Sequence, residues 1–196
     1  ELEKEYRNNK PDLPNELCYL EGKYREMYLH DMKICQEYAT INRIMIADTI
    51  LKEYSGVPMA LYFTNNGFET IHNYISFDDN IVRKGAISAK KGERVLIPIN
   101  MRDGSIIAVG KGNEDWNCSA PHGAGRIISR IKAKETFKLE DFKESMNGIY
   151  TTSVVDETID EAPFAYKPMS EILDNIKDTV EVEKIIKSIY NFKAKN

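Results

Sequence analysis

The stretch Gly112-Asn113-Glu114-Asp115-Trp116-Asn117-Cys118-Ser119-Ala120-Pro121-His122-Gly123-Ala124-Gly125-Arg126, closed by Ser129-Arg130, carries the most information in this chain. A single imidazole stands directly before two glycines, and a helix is expected over about residues 124–135, so that Arg126 and Arg130, four positions apart, would project from one helical face. Gly123 and Gly125 let the backbone approach a ligand closely and adopt positive φ without a side-chain penalty. Amide groups at the start of a helix, together with its dipole, favour an anion, and two guanidinium forks grip phosphate oxygens bidentately. His122 as nucleophile, the Gly123-Ala124-Gly125 backbone as cradle and the two arginines as clamp make a phosphoryl-transfer constellation. The same residues also suit a His-Gly turn capping a helix with two solvated arginines, and spacing alone does not separate the two.

Outward from that stretch the pattern is mixed. Over residues 24–53 the apolar positions Tyr28, Met32, Cys35, Ala39, Met45, Ile46 and Ile50 recur near helical spacing, and Gly56-Val57-Pro58 ends the segment, which predicts a long helix. Between residues 59 and 109 the periodicity changes to β-branched and aromatic runs: 60–63, 70–75, 86–89, 95–98 and 106–109. Lys90-Lys91-Gly92-Glu93 between two of these predicts a hairpin turn. His72 would then point from a strand and His122 from a loop over the same sheet. Helices are expected at about 139–147 and 169–177, a strand near 149–155, and residues 180–192 are ambiguous. Residues 8–15, rich in Asn and Pro, predict a loop. The fold class is α+β, a mixed or antiparallel sheet flanked by helices, with a long helix at the N-terminal side.

Composition narrows the function classes. A chain of 196 residues with 42% hydrophobic content buries one substantial core. Net charge is −4, from 27 basic and 31 acidic residues, which disfavours a protein that coats nucleic acid and leaves room for a local basic surface. Arg83-Lys84, Lys90-Lys91, Arg126, Arg130, Lys132 and Lys134 are the candidates for it, with Lys90, Lys91, Lys132 and Lys134 better read as solvated charges. No apolar run of 18 residues and no signal-like segment is present. Cys18, Cys35 and Cys118 show no metal-type spacing and suit a reducing compartment, so the expectation is a cytoplasmic protein without membrane partners.

From residue 17 to residue 193 the chain resembles the C-terminal portion of the RtcB family of RNA-splicing ligases, and the run Ser119-Ala120-Pro121-His122-Gly123-Ala124-Gly125-Arg126 is that family's nucleophile motif. Further blocks agree in order: Asp31-Met32 through Gln36-Glu37-Tyr38-Ala39 and Asn42-Arg43, then His72-Asn73-Tyr74, Arg83-Lys84-Gly85-Ala86 with Ser88-Ala89, and Asp160-Glu161-Ala162-Pro163-Phe164-Ala165-Tyr166-Lys167. The resemblance implies that His122 attacks the α-phosphate of GTP to form a covalent histidine–GMP. That intermediate activates an RNA 3′-phosphate, or a 2′,3′-cyclic phosphate end, for attack by a 5′-hydroxyl in tRNA splicing or RNA repair. An imidazole, which ordinarily titrates near pH ~6.5, suits the task because a neutral ring nitrogen is available near neutrality. The resemblance further implies that His72 binds manganese, with Asn73 helping to orient the site. Tyr166 and Lys193 would contact guanine and ribose, and Ser105 the nucleotide. GTP and Mn²⁺ are thus the expected cofactors. RNA with 3′-phosphate and 5′-hydroxyl ends and an archease-type activating protein are the expected partners.

Two departures accompany the resemblance. The family's Pro-Gly-Ser-Met-Gly loop is here Pro98-Ile99-Asn100-Met101-Arg102-Asp103-Gly104, with Asn100 in place of its first serine, which suggests a distinct branch. The family's manganese ligands lie mostly in its N-terminal half, whereas this chain has only His30, His72 and His122, and a lone histidine does not hold a divalent cation. Residues 1–196 are therefore expected to be the C-terminal portion of one RtcB-like domain, incomplete relative to the family, lacking the N-terminal metal-binding half as a partner and inactive alone, with exposed apolar surface that promotes association. The other function classes are a truncated noncatalytic GTP- or RNA-binding module of the same family, and an unrelated phosphate-binding metabolic enzyme.

Overall fold

The computed structural model describes residues 4, 19–56 and 67–194, and the chain divides into two compact units, Glu1–Gly67 and Phe68–Asn196. The expected loop at 8–15, the strand at 60–63 and Cys18 lie outside the described residues.

In the first unit a helix runs over Gly22–Ser55 (α1). It stops where the sequence reading places its end: Gly56 takes the left-handed conformation at φ 69° and its N–H bonds Lys52 O at 2.8 Å, a helix end that glycine adopts without a Cβ penalty. None of its side chains is buried: Ile41 and Ile50 are exposed, while Leu29, Met32 and Leu51 are half-buried.

The second unit holds two antiparallel three-stranded sheets. One has the order β1-β2-β5, from His72–Ser76 (β1), Ile81–Ser88 (β2) and Ser119–Pro121 (β5). The other has the order β3-β4-β6, from Arg94–Asn100 (β3), Gly104–Gly110 (β4) and Val180–Ile186 (β6). Burial alternates along β3 and β4, the period expected of strands with one face in the core. The run Lys90-Lys91-Gly92-Glu93 is a tight turn, Glu93 N donating to Lys90 O at 3.0 Å, but not a hairpin: β2 and β3 on either side of it belong to different sheets. The ambiguous segment after residue 180 is β6, which pairs with β4. There Gly104, at φ 85°, lies so close to β6 that a Cβ would sit 2.0 Å from Ile186 O.

Three short helices, Arg130–Thr136 (α2), Leu139–Ser145 (α3) and Met169–Asn175 (α4), flank the sheets. Ile172 and Ile176 of the α4 region pack on the strand core built from Ile87, Val95, Ile97 and Ile106, while Phe142 and Met146 form a second cluster with Met101 and Ile159. Two sequence expectations fail here. The helix expected over 124–135 exists only from Arg130, where Ser129 caps it by accepting from Lys132 N at 3.3 Å. The strand expected near 149–155 is reduced to a single parallel bridge, Thr151 to Asn191. No described helix is long and apolar enough to cross a membrane.

Candidate functional site

The site starts at the end of β5. Ser119–Pro121 pairs with β2, and His122 follows directly, its N–H donating to Gly85 O at 3.4 Å. On the other side of β2, His72 opens β1, and the two imidazoles meet with ring centroids 5.0 Å apart and planes tilted by 43°. The expectation that a strand histidine and a loop histidine converge over one sheet is met in this geometry. The strand that delivers His122 is held from below by Arg83, whose side chain is 1% exposed. Its guanidinium donates to Ser119 Oγ (2.9 Å), Asn117 O (3.1 Å), Asp79 (3.2 Å) and Tyr74 (3.4 Å). Burial acts to raise the Asp79 pKa, but hydrogen bonds from Ser76, Arg83 and the Ile81 amide outweigh it and hold the carboxyl at about 2.

His122 forms the wall between two cavities. One, of about 490 Å³, is lined by Ser105, His122, Gly123, Ala124, Gly125, Arg126, Arg130, Glu161, Tyr166 and Lys193 among others. The second, of about 370 Å³, is mainly apolar, with Ile87, Leu96, Ile107 and Ile186 around His72 and His122. Ser105, His122, Gly123, Ala124, Gly125, Arg126, Arg130, Tyr166 and Lys193, the nucleotide-site candidates from the sequence, thus all line the first cavity although they come from four separate parts of the chain, whereas His72 lines the second.

The cradle is built differently from the sequence expectation. Gly123 and Gly125 do not open a helix. Ala124 N donates to Pro98 O at 3.1 Å, a Cβ on Gly123 would stand 3.1 Å from that same oxygen, and Gly125 turns the chain at φ 73°. Arg126 then pairs as an isolated bridge with Tyr166, framed by Ile127 N to Ala165 O (2.9 Å) and Lys167 N to Gly125 O (3.1 Å). These long-range backbone bonds satisfy groups that a helix over 124–129 would have used, so Arg126 and Arg130 are not i, i+4 neighbours on one helix. Arg126 is committed to the protein: Nε donates to Ile128 O, Nη1 to Tyr166 Oη at 3.0 Å and Nη2 to Asp160 O, with the guanidinium 5.0 Å from the Tyr166 ring centre. Arg130, 56% exposed, is anchored through Nη1 and presents the rest of its fork outward.

The anchor is a carboxylate pair that sequence reasoning placed in a block without giving it a role. Glu161, 9% exposed at its side chain, accepts from Tyr166 Oη at 2.7 Å and pairs with Arg130 Nη1 (2.9 Å), Lys193 Nζ (3.1 Å) and Arg126 Nη1 (3.5 Å). Asp160, fully buried, takes Arg130 Nη1 at 2.9 Å and Lys134 Nζ at 3.8 Å. Burial acts to raise the Glu161 pKa, yet the Tyr166 hydroxyl, Lys193 and Arg130 together hold it below its ordinary value. The same contact pushes Tyr166 up to about 12, through burial first and the Glu161 hydrogen bond second. The signal available in the sequence was an Asp-Glu pair five to six residues before Tyr166, a site candidate, in one motif block.

Lys193 is fixed despite its place near the chain end: its N–H donates to Ser153 Oγ at 2.8 Å, beside the Thr151–Asn191 bridge. Asn100, which replaces a family serine, spends its side chain on its own turn, accepting from Arg102 N (3.0 Å) and Asp103 N (2.8 Å) and donating to Asp103. His30 is solvent-exposed beside Asp31. Cys35 and Cys118 are free thiols. Among the described residues no group of three or more His, Cys, Asp or Glu side chains converges, so His72 has no companion ligands there and these residues do not by themselves fit a manganese ion.

Comparison with known proteins agrees with the sequence motif. A family model described as tRNA-splicing ligase RtcB matches residues 1–194. The RNA-splicing ligase RtcB of Escherichia coli (strain K12) is 33% identical over 201 residues, covering 92% of this chain and 47% of the relative. The tRNA-splicing ligases RtcB of Nanoarchaeum equitans and Archaeoglobus fulgidus are 28% and 29% identical, covering 94% and 87% of this chain and 45% and 42% of theirs. The chain thus spans about half the length of the relatives it matches.

Proposed function

Since this chain belongs to the RtcB family of tRNA-splicing ligases, we propose that it carries the nucleotidyl-transfer site of a cytoplasmic GTP-dependent RNA ligase, with His122 as the nucleophile. A ring nitrogen of His122 attacks the α-phosphorus of GTP. An N–P bond forms, the P–O bond to the β-phosphate breaks, and pyrophosphate leaves. The guanylyl group then passes to an RNA 3′-phosphate, freeing His122, and attack by an RNA 5′-hydroxyl on that activated phosphate joins the ends and releases GMP.

The observation that carries this reading is the single cavity of about 490 Å³ that collects His122 with Ser105, the Gly123-Ala124-Gly125 backbone, Arg126, Arg130, Tyr166 and Lys193. Its size suits a nucleotide. Arg130, Lys193 and the loop amides meet phosphate charge, Tyr166 supplies an aromatic face for the base, and Arg126 holds Tyr166 in place while adding positive potential. His72 would be this chain's contribution to a manganese site whose other ligands lie outside the described residues, in an N-terminal half. The steps above use only the side chains described. An archease-type activator belongs to the same proposal.

One observation favours a second reading, a GTP- or RNA-binding module without catalysis: no metal-ligand cluster forms among the described residues. The deciding experiment incubates the 196-residue chain and the full gene product with GTP labelled at the α-phosphate and Mn²⁺, each beside His122→Ala. Acid-labile label in the full product, absent from the variant, supports the ligase. Nucleotide binding without label supports the module, and label that survives His122→Ala overturns the nucleophile assignment.

A further inference from the structure

Arg130 and Lys134 stand four residues apart on α2 and so share one face of it, packed against the turn Asp156–Glu161. In that turn Asp160 is fully buried, and it holds both arginines of the cavity. Its backbone carbonyl accepts from Arg126 Nη2, and its Oδ2 accepts from Arg130 Nη1 at 2.9 Å. Arg130 Nη1 also pairs with Glu161 Oε1 at 2.9 Å. Both hydrogens of that nitrogen are thus taken by carboxylates, and the Nε–Nη2 edge of the fork is left without a partner among the described residues.

The other oxygen of Asp160, Oδ1, is buried and makes no hydrogen bond among the described residues; Lys134 Nζ faces it at 3.8 Å, beyond hydrogen-bond reach. Lys134, which by sequence alone reads as a solvated charge, is thus set against a buried carboxylate, and it does not line the cavity. A buried carboxylate draws on the nearest positive charge unless another cation offsets it. The cluster as a whole holds four cations, Arg126, Arg130, Lys134 and Lys193, against two carboxylates, Asp160 and Glu161, so two positive charges remain in excess. Removing Lys134 halves that excess.

We propose that Asp160 and Lys134 are positioning residues for Arg130: Asp160 fixes which edge of the guanidinium is free, and Lys134 offsets the Asp160 charge, so that Arg130 keeps its own for the phosphate group of a ligand. Neither touches that ligand. The role rests on the reading that the cavity takes phosphate, whether from a guanine nucleotide or from an RNA 3′-phosphate end. Without Lys134 the guanidinium is drawn more strongly to Asp160, and phosphate binds more weakly while base and sugar are held as before.

The test measures binding to the full gene product by calorimetry with two pairs of probes: GMP against guanosine, and a short RNA ending in 3′-phosphate against the same RNA ending in 3′-hydroxyl. GMP carries no pyrophosphate leaving group, so binding is read without the covalent step. Lys134→Met should weaken GMP, the 3′-phosphate RNA or both by about three- to tenfold, less so at high salt, and leave guanosine unchanged; the arm that responds names the source of the phosphate. Lys134→Arg should restore the affinity. Asp160→Asn removes the charge that Lys134 offsets and keeps an acceptor for Arg130, so in that background Lys134→Met should change little. An equal loss in both backgrounds overturns the proposal, because Lys134 then attracts the ligand directly, and so does weakened guanosine binding in Lys134→Met, the mark of a general structural defect. If Asp160→Asn fails to fold, loss of phosphate preference in Lys134→Met with recovery in Lys134→Arg decides the matter. An unaltered protein that prefers neither phosphate probe overturns the phosphate reading of the cavity and this role with it, whereas that preference undiminished in Lys134→Met overturns the role alone.

Discussion

Removing Glu161 should destabilise the second unit in a pH-dependent way, because this one carboxylate joins the two ends of the cavity. Its contact with Tyr166 Oη, 2.7 Å long and charge-assisted, contributes about 1–1.5 kcal/mol. Arg130 and Lys193 are 56% and 41% exposed, so solvent screening reduces their pairs to about 0.5 kcal/mol each. Glu161→Ala should therefore cost about 2 kcal/mol at pH 7, a fall in Tm of roughly 6–10 °C for a unit of this size. Glu161→Gln, which keeps an acceptor for Tyr166 but no charge, should cost about half as much. The folded-state pKa of Glu161 lies below its ordinary 4.5, so the stabilisation is fully present above that value and is lost as pH falls through the folded one. Thermal melts of wild type, Glu161→Ala and Glu161→Gln at pH 7 should be well separated and should converge in acid, as the pH falls below the ordinary 4.5 and through the lowered folded-state pKa. Equal melting at pH 7, or a difference that persists undiminished in acid, would refute the hub as described.

Three further outcomes follow from the same contacts. Tyr166→Phe should remove one phenol from the spectrophotometric titration, the one that ionises near pH 12, and because that pKa is raised, the stability it brings is present below pH 10 and lost as pH rises through 12; an unchanged titration curve above pH 11 counts against it. Asp79→Asn leaves the buried Arg83 without its counter-ion and should cost about 2 kcal/mol at pH 7, an effect that fades between pH 4 and pH 2 as the wild-type carboxyl protonates; denaturant melts across that range read it directly. The α1 face, with Ile41 60% and Ile50 61% exposed, should make the isolated chain self-associate with concentration, and Ile41→Lys should reduce that in light scattering; a monomer at every concentration sinks the idea.

Local chemistry determined a good deal of this protein without tertiary help. The end of α1 follows from Gly56, the only residue type there that takes left-handed backbone at no cost, and the alternation of buried and solvated positions in β3 and β4 follows from the two-residue period of a strand. The run around His122 named the family, and it also supplied His122, the Gly123-Ala124-Gly125 backbone, Arg126 and Arg130 of the cavity wall, because residue type and order are written in one dimension. Long-range pairing decided the rest. Residues 124–129 suit a helix locally, but the bridge between Arg126 and Tyr166 and the bonds to Ala165 and Lys167 satisfy the same backbone groups from 40 positions away, so the arginines separate and Arg126 turns to Tyr166. Two sheets form where a hairpin was expected because β3 makes its hairpin forward with β4, while β2 finds β5 and β4 finds β6 across sequence distances that a turn motif does not encode. Glu161 belongs to the same class. It looks ordinary in the sequence and has its role only through groups that folding brings to it, three cations and a phenol.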